Sequence, residues 1–173
     1  ANKSWIFFNK IYFYKFIPKK WPGGNWKAKL HKDTIELYNV YNLHKKIARD
    51  IDYKKYDIAF VHPSKFTQAP FILRFLKMPK IYYCEEVLRM VYEPELRLSN
   101  NVFFLKREYE KLIRSIRKKI DKANILNANL VLANSEFTKK NIKNAYGLDC
   151  KVSYLGVDTD FFKPEKSKKD IDI

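Results

Sequence analysis

The sequence predicts an α/β protein built on an open, mostly parallel sheet with helices on both faces. Three observations carry that expectation. Short apolar runs alternate at least three times with segments of helical periodicity. The runs lack the polar–apolar alternation of a one-sided sheet, so they read as strands buried on both faces. The chain of 173 residues, with 46% hydrophobic and 31% charged side chains, is long and apolar enough to bury a core.

Residues 1–41 carry the least legible pattern. The stretch from Trp5 to Phe16 is aromatic and β-prone, the Pro-Gly-Gly content between Pro18 and Asn25 predicts a loop, and TIELYNV at 34–40 reads as a strand. In residues 42–52, Leu43, Ile47 and Ile51 recur at helical spacing. YDIAFVHP at 56–63 then places a continuous apolar run before His62 and Pro63, the signature of a buried strand. Ser64 is placed to cap a helix whose apolar face is Phe66, Ala69, Ile72, Leu73 and Leu76, with Pro79 marking its end. KIYYC at 80–84 is the next strand, followed by a loop through residue 94.

A long helix is expected from about Asn101, because Leu105, Tyr109, Leu112, Ile116, Ile120 and Ala123 form one apolar stripe. Lys106, Arg107, Lys111, Arg114, Lys118 and Lys119 would then face mainly solvent. NLVLANS at 129–135 is a strand ending at a cap. Ser135, with Glu136 in the first turn and Gly147 at the end, brackets the helix that follows. KVSYLGVD at 151–158 supplies one more short strand and a glycine turn, and the polar run from Lys163 reads as a linker.

The formal net charge of +16 creates an attraction for phosphates, anionic lipid or nucleic acid without naming a function. Lysine outnumbers arginine 28 to 7, and with abundant Ile and Asn this points to a compositional bias toward A and T in the coding sequence. A nucleic-acid reader would favour arginine and show a docking motif, and none is visible. No window approaches the roughly 18 apolar residues of a spanning helix. Cys84 and Cys150 have neither disulfide-framework nor zinc spacing, which points to a reducing compartment.

In a parallel sheet of this kind ligands bind beyond the carboxyl ends of the strands. Those ends are His62 to Ser64, Cys84 to Glu86, Asn134 to Ser135, and Tyr154 to Gly156. The stretch ILNANLVLANSEFTKKNIKNAYGLDCKVSYLGVDTDFFKP at 125–164 resembles the end of the amino-terminal domain of group 1 (family 4) glycosyltransferases of the GT-B fold. YDIAFVHPSKFTQAP and PKIYYCEEVLRMVYEP are similar to two earlier strand ends of that domain. The resemblance covers roughly residues 42–164. It implies a Rossmann-like three-layer αβα domain over 1–162, with 163–173 leading toward an absent carboxyl-terminal donor-binding domain. Two parts of the family pattern are missing: an opening strand with a glycine-rich turn, and the second domain itself. The chain therefore reads as an acceptor-side fragment, inactive alone.

Glycosyl transfer needs charge neutralisation on the leaving phosphate and an acceptor hydroxyl held near the anomeric carbon. Glu85 and Glu86 are the candidate catalytic carboxylates, and Arg89 could hold an anionic acceptor group. The alternative is a Glu86–Arg89 ion pair that orders the loop. Many relatives carry a histidine near Cys84 that contacts the donor sugar; here it is absent. His62 either faces the cleft or packs against Pro63. Ser64, Lys65 and Gln68 offer donors at a helix start, with Ser64 a plain cap first. Asn134 and Ser135 are structural first. Gly156 and Asp158 sit where the chain would cross to the donor domain.

The resemblance implies a nucleotide-sugar co-substrate, no further cofactor and no metal. It also implies a glycan or lipid-linked acceptor and a cytoplasmic enzyme, with peripheral contact to anionic membrane as an additional expectation. The competing readings are a basic module for nucleic acid or anionic membrane, and another Rossmann-like nucleotide-binding protein.

Overall fold

A computed structural model describes residues 10–19, 26–99 and 101–163. The fold is mixed α/β around a four-stranded parallel sheet whose order follows the chain: β1 (Ala59–Val61), β2 (Lys80–Cys84), β3 (Leu130–Ala133) and β4 (Lys151–Val152). The helices are α1 (Trp26–His31), α2 (Leu37–Tyr53), α3 (Ile72–Phe75), α4 (Arg89–Tyr92), α5 (Phe104–Ile125) and α6 (Glu136–Tyr146). The strands expected to end near His62, Cys84 and Ala133 are present, adjacent and parallel, so their carboxyl ends share one edge.

The register aligns Val61, Tyr82 and Val131 across the sheet, and Cys84 beside Ala133. Side chains alternate between faces along a strand, so these five share one face. All five are buried with Ala48 of α2, Leu73 of α3, Ile125 of α5, and Ile142 and Tyr146 of α6. The main core thus lies on one face. The other face carries Phe60, Ile81, Tyr83, Leu130 and Leu132, of which only Tyr83 is fully buried. Their continuous apolar run, which suggested burial on both sides, corresponds to one deep face and one shallower one.

Three local expectations are overturned. Residues 34–40 are not a strand: α1, a π-helical turn over Lys32–Glu36 and α2 run on as one helical stretch. Intrinsic β-preference there yields to tertiary contacts. Glu36 is buried beside His31, Nδ1 to Oε1 3.6 Å, and the Tyr41 ring packs edge-on against Phe71 and Phe75. The helix expected from Ser64 begins only at Ile72, because residues 64–68 close a tight turn first. There the Ser64 N–H donates to the Gln68 carbonyl (2.9 Å), and the Ser64 hydroxyl accepts from the Phe66 N–H (3.2 Å) instead of capping a helix. The aromatic opening contains no strand over residues 10–16; residues 5–9, most of the Pro-Gly-Gly loop and all but the first residue of the expected linker lie outside the described residues.

The third correction concerns α5. Leu105 and Leu112 are 57% and 58% exposed and Ile116 is exposed too, whereas Glu110, Ile113, Asp121, Asn124 and Ile125 are buried. Arg107 and Arg114, expected outside, are half-buried. Beside Ile113 and Ile125, the inward face carries paired polar groups. Arg117 Nη2 donates to Asp33 Oδ1 at 2.7 Å and its Nη1 to the Phe66 carbonyl at 3.0 Å. Asn124 Nδ2 donates to the Ala69 carbonyl at 2.7 Å.

Asp121 sits at the centre of this face with no solvent exposure. Its carboxylate accepts from the Ala69 N–H (3.0 Å) and the Tyr146 hydroxyl (2.6 Å), tying α5 to the loop after β1 and to α6. Burial pushes the Asp121 carboxyl up to about 6, although both hydrogen bonds pull the other way. A carboxyl raised on folding contributes most stability below its unfolded pKa, and that contribution disappears as pH rises through the folded value. Unfolding free energy, measured by urea titration against an Asp121→Asn variant, is therefore expected to gain about 2 kcal/mol between pH 7 and pH 4. Parallel pH curves for the two proteins would refute this.

The two cysteines are both buried and free. Burial raises the Cys84 thiol to about 12, so it behaves as a core residue and not as a nucleophile. No helix among the described residues is long and apolar enough to cross a membrane.

Candidate functional site

The site is assembled at the carboxyl edge of the sheet by the turn after β2. The Glu85 carbonyl accepts from Thr138 Oγ1 of α6 at 3.2 Å. The Glu86 carbonyl accepts from Gln68 Nε2 at 3.1 Å, with Cys84 Sγ at 3.2 Å. Side chains from the loop after β1, from β2 and from α6 thus hold the backbone of this turn, which leaves both carboxylates at exposed positions. Backbone fixed by several elements with outward-pointing acids is the arrangement a loop needs to present chemistry on a rigid support.

His62 leaves the end of β1 beside this turn, its Nδ1 3.7 Å from Glu85 Oε1. Its ring lies 5.8 Å from the Tyr83 ring and 5.2 Å from that of Phe60, while Phe60 stacks on Tyr83 at 6.0 Å. Tyr83 is fixed in turn by its hydroxyl, which donates to the Ser153 carbonyl just past β4 at 3.0 Å. His62 therefore stands on an aromatic ledge with an acid at its side. The His62 side chain is 62% open to solvent.

Asn134 and Ser135 follow β3 on the same edge. Ser135 caps α6: the Thr138 N–H donates to its Oγ at 3.2 Å, and its hydroxyl donates to Asn134 Oδ1 at 3.2 Å. Gly147 ends the helix in the left-handed region at φ 75°, where glycine is favoured. Both cap signals of α6 are realised, unlike the one at Ser64.

Other expected site residues are drawn elsewhere. Arg89 pairs with Glu93, Nε to its two carboxylate oxygens at 2.9 and 3.0 Å, and not with Glu86. The i,i+4 spacing from the first residue of α4 to its C-cap favours that partner. Gln68 is spent on the Glu86 carbonyl, and its own carbonyl accepts from the Tyr82 hydroxyl at 3.0 Å. Lys65 borders a cavity of about 520 Å³ with Lys29, Lys32 and Arg117. Asp158 caps a turn, accepting from the N–H groups of Asp160 (3.0 Å) and Phe161 (3.1 Å). Gly156 is exposed with open space around its Cα. Among the described residues, every hydrogen bond of residues 156–163 is internal to that segment.

Sequence reading missed Phe60, Tyr83, Thr138 and Glu93. Phe60 and Tyr83 alternate with the buried strand residues, and Thr138 stands three residues after the cap, so period and capping offset were the available signals. Among the described residues no group of three or more His, Cys, Asp or Glu side chains gathers to hold a metal ion. No family model matches the chain, and no curated protein or solved structure matches it either.

Proposed function

We propose that this chain is the acceptor-side domain of a glycosyltransferase that moves a sugar from a nucleotide-sugar donor to a glycan or lipid-linked acceptor. In this reading the parallel sheet is one half of a GT-B fold, a Rossmann-like three-layer domain whose partner half holds the donor, in a cytoplasmic enzyme. The observation that carries the proposal is the placement of His62 and Glu85 side by side, at the carboxyl ends of adjacent parallel strands, on a turn held by Gln68, Cys84 and Thr138. The resemblance at 125–164 supports it, and that segment folds as a strand, a serine-capped helix and a short strand.

The acceptor oxygen would bond to the anomeric carbon as the bond to the nucleoside diphosphate breaks, with the hydroxyl proton passing to a carboxylate. Glu85 is the group placed to take that proton, and His62 to hold the hydroxyl or a neighbouring one. Glu86, next along the turn, presents a second acid to sugar hydroxyls. Asn134 and Ser135 shape the rim, with their polar atoms committed to the cap.

The test is nucleoside diphosphate release by the protein expressed from its full reading frame, with a panel of nucleotide sugars and with glycan and polyprenyl-phosphate acceptors. Turnover that depends on both a donor and an acceptor is expected. Its absence with every pair would reject the reading. Residues 1–173 alone are expected to give none, because the donor phosphates would be bound by the other half.

A further inference from the structure

A second, basic cleft lies away from the rim histidine. It holds about 770 Å³ between α5 and residues 91–98, and its charged lining is Arg97, Arg107, Lys111, Arg114 and Lys118 against Glu110. Five cations facing one carboxylate is a local excess that the average composition does not dictate, because three of the chain's seven arginines gather here. A coding bias toward lysine explains surface lysines and leaves this cluster of arginines unexplained.

The single acid is already occupied. Glu110 Oε1 accepts from Arg114 Nε at 2.9 Å and from its Nη2 at 2.6 Å, and Oε2 lies 3.5 Å from Lys29 Nζ. Arg114 also donates to the Leu96 carbonyl, which fixes its guanidinium against the wall, and its buried Nη1 has no hydrogen-bond partner among the described residues. Lys118 leans over the Tyr92 ring at 5.5 Å, and Lys111 reaches Glu108 at 2.7 Å across solvent, where the pair is weakly held. A fixed, largely buried guanidinium flanked by exposed lysines suits an oxyanion of more than one charge: the planar fork orients it and the ammonium groups supply field.

We propose that this cleft is a binding site for a phosphate-class oxyanion, with diphosphate as the best charge match. Val91 and Leu98 give the cleft an apolar wall, so the phosphate could belong to a soluble phosphorylated compound or to the headgroup of an anionic phospholipid. The chemistry is the same for both. The proposal does not depend on glycosyl transfer, since binding is measured without donor or turnover.

The experiment titrates inorganic pyrophosphate into the protein by calorimetry at low salt, with a parallel arm using phosphatidylglycerol–phosphatidylcholine vesicles. Saturable binding is expected, weakened at least tenfold in the Arg97→Ala/Lys118→Ala variant and kept in Lys45→Ala/Lys46→Ala, which removes the same charge from α2. All four are exposed side chains, and thermal melts confirm that both variants fold. Pyrophosphate binding without vesicle binding assigns a soluble ligand, while vesicle binding with the same variant dependence assigns a headgroup. Failure of both arms, or equal loss in the two variants, overturns the proposal.

Discussion

Replacing Arg117 with Met is expected to cost about 3–5 kcal/mol of stability, the range for removing one partner of a buried ion pair. Arg117 and Asp33 have side chains only 11% and 7% exposed, at 2.7 Å, so the change strands the Asp33 carboxylate away from water. The Tyr109 hydroxyl, which donates to Asp33 Oδ2 at 3.2 Å, cannot replace a charge. The same guanidinium holds the Phe66 carbonyl, so the loss reaches the turn between β1 and α3. Removing both charges with Asp33→Asn and Arg117→Met should recover part of the loss, because no uncompensated ion remains. Urea denaturation of the single and double variants measures it. A single-variant loss below about 1 kcal/mol would mean that the pair behaves as an exposed one.

The second large effect is on catalysis. Under the proposed glycosyl transfer, Glu85→Gln and His62→Ala are each expected to lower kcat/KM by about 100-fold or more, the scale of removing a positioned acid–base group. Stability should change little, since the two side chains are 51% and 62% exposed. Arg89→Ala, which breaks only the exposed pair with Glu93, should leave catalysis nearly intact. Unchanged turnover in both rim variants would remove the acid–base assignment and leave the strand ends as scaffold.

Much of the sheet was legible because its strands are marked by continuous apolar runs. Ile58 to Val61, KIYYC and NLVLA each stop at a polar or proline residue, and the observed strands fall within them. The α6 helix was legible because capping is local chemistry: Ser135, Glu136 and Gly147 act within one turn of the positions they mark. Where partners distant in sequence decide, reading failed. Thr34 to Val40 is helical with Asp33 and Glu36 anchored inward, and polar residues enter the inward face of α5 because Arg117, Asp121 and Asn124 meet acceptors or donors from outside that helix. Charge at a position does not disclose whether its counter-charge arrives from across the fold. The rim showed the same division: Glu85 and His62 were found as residues at strand ends, while the aromatic ledge beneath them depends on strand register.

The brevity of the outer strands bears on self-association. In the described sheet β1 has three residues and β4 only two, so each edge offers few N–H and C=O groups to a foreign strand. Lys151 stands exposed on β4 and adds repulsion between like edges of a chain that already carries +16. An open sheet with a shallower apolar face would otherwise invite stacking into fibrils, and truncated borders, one of them charged at Lys151, oppose that.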